Sequence, residues 1–169
     1  TLKRYAPNEN IFAYWQDGMQ YGLIRPQYHC REHLNVNRWM RAVREIKNGN
    51  SLMRAAFERR MISLPQMKNP QNINTFMDSF NFDDMVECKE LDNIFRSGAA
   101  IFEEVFGYQS RSFIASCYIW DTHLEETMNQ CSVKYIQGEQ YQRKPIAGVE
   151  GTAQFQRICH DLGERNHLG

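Results

Sequence analysis

The chain has 169 residues, 42% of them hydrophobic and 12% aromatic, a composition that supports one packed core and excludes an intrinsically disordered chain. Its 20 Lys and Arg residues balance 20 Asp and Glu residues, for zero formal net charge. There is no basic surplus to neutralise a phosphate backbone, which argues against nucleic acid as a partner.

Asn10 is placed to cap a helix in which Ile11, Phe12, Tyr14, Trp15 and Met19 recur at helical spacing. Tyr21 to His29 reads as a strand, confined by Pro26 to an edge, an end or a bulge. Beyond the polar turn at Asn35 and Asn37, Val36, Trp39, Met40, Val43 and Ile46 form one helical face that Asn48-Gly49-Asn50 stops. A second helix is predicted over Ser51 to Met61. Pro65 to Asn74 reads as a loop and Phe76 to Phe82 as a strand.

Asp83-Asp84 opens the longest predicted helix, where Leu91, Phe95, Gly98, Phe102 and Val105 form a stripe and Gly107 supplies the C′ position. The remaining pattern predicts a strand over Ser112 to Tyr118, a helix over Asp121 to Gln130, a strand over Val133 to Gln137 and a last helix over Ala153 to Leu162. Such alternation implies parallel strands joined by helical crossovers. No apolar run approaches the roughly 18 residues of a membrane span. The polar N-terminus has no apolar signal core, so any signal peptide would have to lie upstream of Thr1. The five cysteines, Cys30, Cys88, Cys117, Cys131 and Cys159, contain no CxxC pair. They read as free thiols and point to a cytoplasmic setting.

The sharpest local feature is His29-Cys30-Arg31-Glu32-His33. Two histidines four apart can reach one divalent ion from a helix face or across a strand-to-helix turn; the bland alternative has one packed and the other solvated. Read as H-x-x-E-H, the string is the inverted zinc-peptidase motif, with His29 and His33 as ligands and Glu32 activating water. That motif needs a helix beneath it, yet Pro26 precedes the string and the caps Asn35 and Asn37 follow it. The other arrangement puts His29 at the C-terminal end of a strand and His33 at the mouth of the next helix, where barrel enzymes collect their active-site groups. Cys30 is poorly placed as a thiol nucleophile beside an adjacent His base, and His123 reads as a solvated helix position.

The string from Pro26 to Val36, continued by Trp39-Met40, resembles the second metal-binding motif of the NodB-type polysaccharide deacetylases, in a bacterial subfamily carrying a His-x-Arg-Glu-His-Leu-Asn form. Phe106-Gly107-Tyr108 with Ser112 to Trp120, then Val133 to Gly138, is similar to that subfamily's third motif and following strand, and His160 to Asn166 is similar to a later segment. The resemblance implies an α/β fold that is part of a distorted (β/α) barrel with parallel strands. Residues 1–169 would form one partial domain, a fragment lacking N-terminal and C-terminal strands.

The same resemblance implies a divalent metal, zinc by preference, held by His29 and His33, and removal of N- or O-acetyl groups from a carbohydrate. Arg31, Glu32 and Tyr118 would contact the substrate and Trp120 would be a sugar platform. The family's early Asp-Asp pair does not precede His29, so the metal-binding Asp and the general base are expected upstream, and the fragment alone is expected to be inactive. Phe82-Asp83-Asp84 reads as a helix cap, Ile114, Ala115 and Ser116 stand where the third motif carries Arg and Pro, and His160 reads as surface or structural. A non-catalytic carbohydrate-binding or scaffolding domain is the alternative, with Tyr118, Trp120, Tyr135 and Tyr141 as stacking faces. In either case a partner chain, such as a second copy, or a rearranged segment is expected to cover exposed strand edges.

Overall fold

The computed structural model describes residues 10–61, 76–139 and 142–148 with their side chains, and the backbone of short strands at 67–69, 72–74, 141–145, 153–157 and 166–168. Asparagine caps dominate the N-terminal half, because a short side-chain carbonyl satisfies the first free amides of a helix. Asn10 caps α1 (Ile11–Gln20) on the Ala13 amide at 3.3 Å. Asn35 caps α2 (Val36–Arg44) on Arg38 at 3.0 Å, and Asn50 caps α3 (Ser51–Glu58) on Met53 at 3.1 Å. Between α2 and α3 the chain tightens into a 3₁₀ turn, Glu45–Asn48, and reverses at Gly49, whose φ of +93° suits glycine. Helix α4 (Met85–Phe106) is the longest element; Asp84 accepts from the amides of Val86 and Glu87, and Gly107 closes it in the left-handed region.

Three short strands, β3 (Ser112–Ile114), β4 (Tyr135–Gln137) and β7 (Asn166–Leu168), form a parallel sheet in the order β3-β4-β7. Tyr28 adds a single parallel bridge to Phe113 on the free side of β3. Helix α4 therefore carries the chain from the Tyr28 segment to β3, and α5 (Leu124–Gln130) carries it from β3 to β4. This is the crossover arrangement of an α/β fold.

Several elements differ from the periodicity. Residues 21–29 make only the Tyr28 bridge instead of a strand, since Pro26 has no amide to give and the Tyr28 amide goes to Ser110 Oγ at 3.1 Å. Residues 76–82 alternate like a strand but fold as a turn, with Asp78, Ser79, Phe80, Asn81 and Phe82 all buried. The expected loop at 65–74 holds an antiparallel pair, β1 (Met67–Asn69) and β2 (Asn72–Asn74). The helix expected from Ala153 is instead strand β6 (Ala153–Arg157), paired antiparallel with β5 (Tyr141–Pro145). Strand partners, not local propensity, decide that segment. The end of the expected helix, with His160, lies outside the described residues.

The main core fills the space between α4 and the sheet. Phe95 meets Tyr28 edge-on at 5.1 Å and Phe113 at 4.9 Å, and Phe80 meets Phe113 at 5.4 Å, with Leu91, Trp120, Leu124, Met128 and Ile136 around them. A smaller cluster of Trp39, Met53 and Ala56 packs α2 on α3. The two are joined by a buried polar seam, in which Asn35 Nδ2 donates to the Asn81 carbonyl at 2.9 Å and Arg38 pairs with Asp78 and Asp83. Among the described residues no helix is long and apolar enough to cross a membrane.

Candidate functional site

The His motif begins where the Tyr28 segment leaves the sheet, at the C-terminal end of a parallel strand edge. Tyr28 holds it there: the side chain is buried, and its hydroxyl donates to the Phe95 carbonyl at 3.0 Å. Gly98 makes that approach possible, because a Cβ at this position would lie 2.3 Å from the Tyr28 hydroxyl and 2.8 Å from Arg31 Cβ. Gly98→Ala is thus expected to push the motif off α4 and to destabilise the fold by about 1–3 kcal/mol, read from a urea midpoint at unchanged slope.

His29 points its Nδ1 at the carbonyl of Ile114, 2.8 Å away on the neighbouring strand. A carbonyl only accepts, so Nδ1 carries the proton and Nε2 presents its lone pair. The His33 ring lies 5.3 Å from that of His29, centroid to centroid, at an interplanar angle of 69°. His33 Nδ1 is buried with no hydrogen-bond partner among the described residues, where buried polar atoms ordinarily bond to protein or to ordered water.

Arg31 and Glu32 are paired with each other: Arg31 Nη2 donates to Glu32 Oε1 at 2.6 Å and Nε to Oε2, while Nη1 donates to Ser97 at 2.9 Å. Glu32 is committed to this fork, and residues 29–35 are not helical. The helix that the inverted zinc-peptidase motif requires is therefore not under this string.

The exit of β3 faces the same edge. Ser116 is fully buried, and its hydroxyl meets the Ser79 amide at 2.9 Å and the Ser79 hydroxyl at 2.8 Å. Cys117 and Tyr118 both have φ of +55°, and Cys30 has +63°. Left-handed conformations at non-glycine residues cost about 1–2 kcal/mol each and persist where surrounding structure holds them. Three such residues flank the histidines, and spacing alone gave no sign of them or of the Ser79–Ser116 contact.

Burial pushes the Cys30 thiol up to about 11, against the pull of a Ser79 hydrogen bond. A raised thiol holds the thiolate fraction of Cys30 low at neutral pH. Its alkylation by iodoacetamide is expected to run about 100-fold slower than that of an unhindered thiol at pH 8 and to recover as the pH rises toward 11, followed by peptide mass spectrometry.

The remaining assignments separate. Tyr118 is partly exposed beside this edge, but Trp120 is 0% exposed. Its ring belongs to the core and offers no face to a sugar, a correction that follows from the chain turning inward after the left-handed pair. Asp84 is the helix cap that the sequence predicts, whereas Asp83 is an ion-pair partner of Arg38 and Arg41. His123 is less solvated than its charged helix suggests: Nδ1 lies 3.0 Å from Asp121 Oδ1, Nε2 3.1 Å from the Cys88 carbonyl, and Cys88 Sγ 3.5 and 3.6 Å from the two nitrogens. A sulfur equidistant from both nitrogens is not aligned with either lone pair, so this trio lacks the geometry of an activated thiol.

Among the described residues no group of three or more His, Cys, Asp and Glu side chains converges to hold a metal ion. The candidate site is thus a two-histidine edge with a serine and cysteine floor. No family model, no curated protein and no solved structure matches this chain.

Proposed function

We propose that this chain is the His-motif portion of a (β/α) barrel of the NodB polysaccharide-deacetylase type, and that the complete protein is a metal-dependent hydrolase of N- or O-acetyl groups on a carbohydrate. The observation that carries the reading is the His29–His33 pair: two imidazoles 5.3 Å apart at the C-terminal end of a parallel strand edge, one with its tautomer fixed by the Ile114 carbonyl. Ligating histidines are commonly oriented by this kind of second hydrogen bond.

The donor set suits zinc or a similar ion for two of its positions, through His29 Nε2 and the His33 ring. When bound, such an ion polarises a carbonyl and lowers the pKa of water. The chain's own residues have other tasks: Ile114 orients His29, the Arg31–Glu32 fork lines the substrate side, and Tyr118 stands at the rim. In the reaction, water adds to the acyl carbon as the C–N or C–O bond breaks, its proton passes to the departing nitrogen or oxygen, and acetate is released. The reading requires a carboxylate ligand and a general base beyond those the described residues bring to the histidines. Loss of such a base typically costs 10²- to 10⁴-fold.

The test is acetate release from acetylated oligosaccharides by the complete, zinc-supplemented protein. Activity is expected, with at least a 100-fold loss in His29→Ala and in His33→Ala; release unchanged in both variants would contradict the reading.

A further inference from the structure

The zero net charge of the chain conceals a segregation. Residues 36–61, which span α2, the 3₁₀ turn, α3 and its exit, hold seven of the 20 Lys and Arg residues but only Glu45 and Glu58 of the 20 Asp and Glu residues. Two of the seven, Arg38 and Arg41, pair with Asp78, Asp83 and Glu87. The other five, Arg44, Lys47, Arg54, Arg59 and Arg60, are all exposed, and none has an ion pair or a side-chain hydrogen bond among the described residues. The unit that carries them is small and anchored from within by Trp39, Met53 and Ala56. At 1.5 Å per residue its helices are about 14 and 12 Å long, less than two Debye lengths at physiological salt, so neighbouring cations act on a ligand together.

The same unit leaves apolar side chains in water: Leu52 is 38% exposed, Phe57 58% and Met61 43%. Arg54 and Phe57 are three residues apart on α3, which makes the cation and the ring neighbours on the helix surface. A fitting partner must therefore be anionic and must also take apolar side chains out of water. Nucleic acids and acidic polysaccharides meet only the first requirement. An anionic bilayer surface meets both, since its headgroups attract Lys and Arg and its interface accepts Phe, Leu and Met side chains. Cations that no bond in the fold holds in place suit headgroups that are themselves mobile. We propose that the α2–α3 unit docks this chain on an anionic lipid surface. The inference stands apart from the reading of His29 and His33 and needs no metal.

Each Lys or Arg near such a surface strengthens partitioning about fivefold, so five give a preference of about 10³-fold for anionic over neutral lipid. The experiment floats the 169-residue chain with phosphatidylcholine vesicles, with and without about 30% phosphatidylglycerol, in about 0.1 and 0.5 M NaCl. Saturable binding is expected only with phosphatidylglycerol, and should be lost at the higher salt. Arg44→Gln, Arg54→Gln and Arg59→Gln combined should weaken it about 100-fold, and Phe57→Gln alone about tenfold. Circular dichroism and the urea midpoint should stay as in the parent, because these side chains stand outside the core. Equal binding to neutral vesicles, no saturable binding to anionic ones, or binding unchanged in the triple variant would overturn the proposal. So would duplex DNA or polygalacturonate bound as tightly as the vesicles with Phe57→Gln without effect, since a polyanion would then be the ligand. Self-association in sedimentation that the triple variant abolishes would overturn it too, because a second copy would then cover the unit.

Discussion

Arg38→Ala is expected to cost about 3–5 kcal/mol of folding stability, since it strands a buried charge without its partner. The Arg38 side chain is 2% exposed and that of Asp78 1%. Nη1 donates to both oxygens of Asp78, at 3.1 and 2.9 Å, and Nη2 donates to Asp83 Oδ1 at 2.6 Å. The pairs hold Arg38 charged against its burial, and burial pushes the Asp78 carboxyl up against the pull of Arg38. Removal of the guanidinium takes away the main pull against burial, leaves the Asn81 amide as the remaining side-chain donor, and raises that carboxyl further. A carboxyl whose folded pKa exceeds its unfolded one favours the fold at low pH and penalises it as the pH rises. The penalty of Arg38→Ala should therefore be largest at neutral pH and shrink in acid, measured by urea denaturation from pH 7 down to pH 5. Arg38→Lys keeps the charge but loses the planar fork, and should not restore parental stability.

Trp120→Ala is expected to cost about 3–5 kcal/mol, the usual range for emptying an aromatic core position. Trp120 is completely buried next to Leu124, and its backbone ties two sheets together: its amide donates to the Arg143 carbonyl at 3.3 Å, and its own carbonyl accepts from Gln142 Nε2 at 2.9 Å. A sugar platform at this position would lose oligosaccharide affinity on substitution and keep its stability. The burial predicts the reverse, a lowered urea midpoint, with Trp120→Phe intermediate because most of the ring volume is retained.

What could be read in the sequence follows the range of the forces involved. The caps at Asn10, Asn35 and Asp84 and the stop at Gly107 were legible, because each depends on amides within one turn of the same helix. So was the α4 stripe of Leu91, Phe95, Gly98 and Phe102, whose spacing reflects a single buried face. The turn at 76–82 was not legible. Its alternation of Phe and polar residues imitates a strand, but Asn35 and Arg38 on α2, about 40 residues away in the chain, supply the partners that let Asp78 and Asn81 be buried.

Strand β6 was equally hidden, since only pairing with β5 distinguishes Ala153–Arg157 from a helical segment. At the site itself, the four-residue spacing of His29 and His33 was visible. The orientation of His29 by Ile114 and the left-handed backbone at Cys30, Cys117 and Tyr118 depend on how β3 ends beside the motif, which no local pattern encodes.

The central claim is that His29 and His33 share one metal ion. Titration of zinc into the 169-residue chain, followed by the imidazole resonances in a nitrogen-15 NMR spectrum, tests it most directly. The expected result is a saturable shift at His29 Nε2 and at the His33 ring at one equivalent of zinc, with the His29 Nδ1–H still donating to the Ile114 carbonyl and the response abolished in His29→Ala and His33→Ala. A spectrum in which neither imidazole responds, or in which the shifts appear only at other histidines, would contradict it.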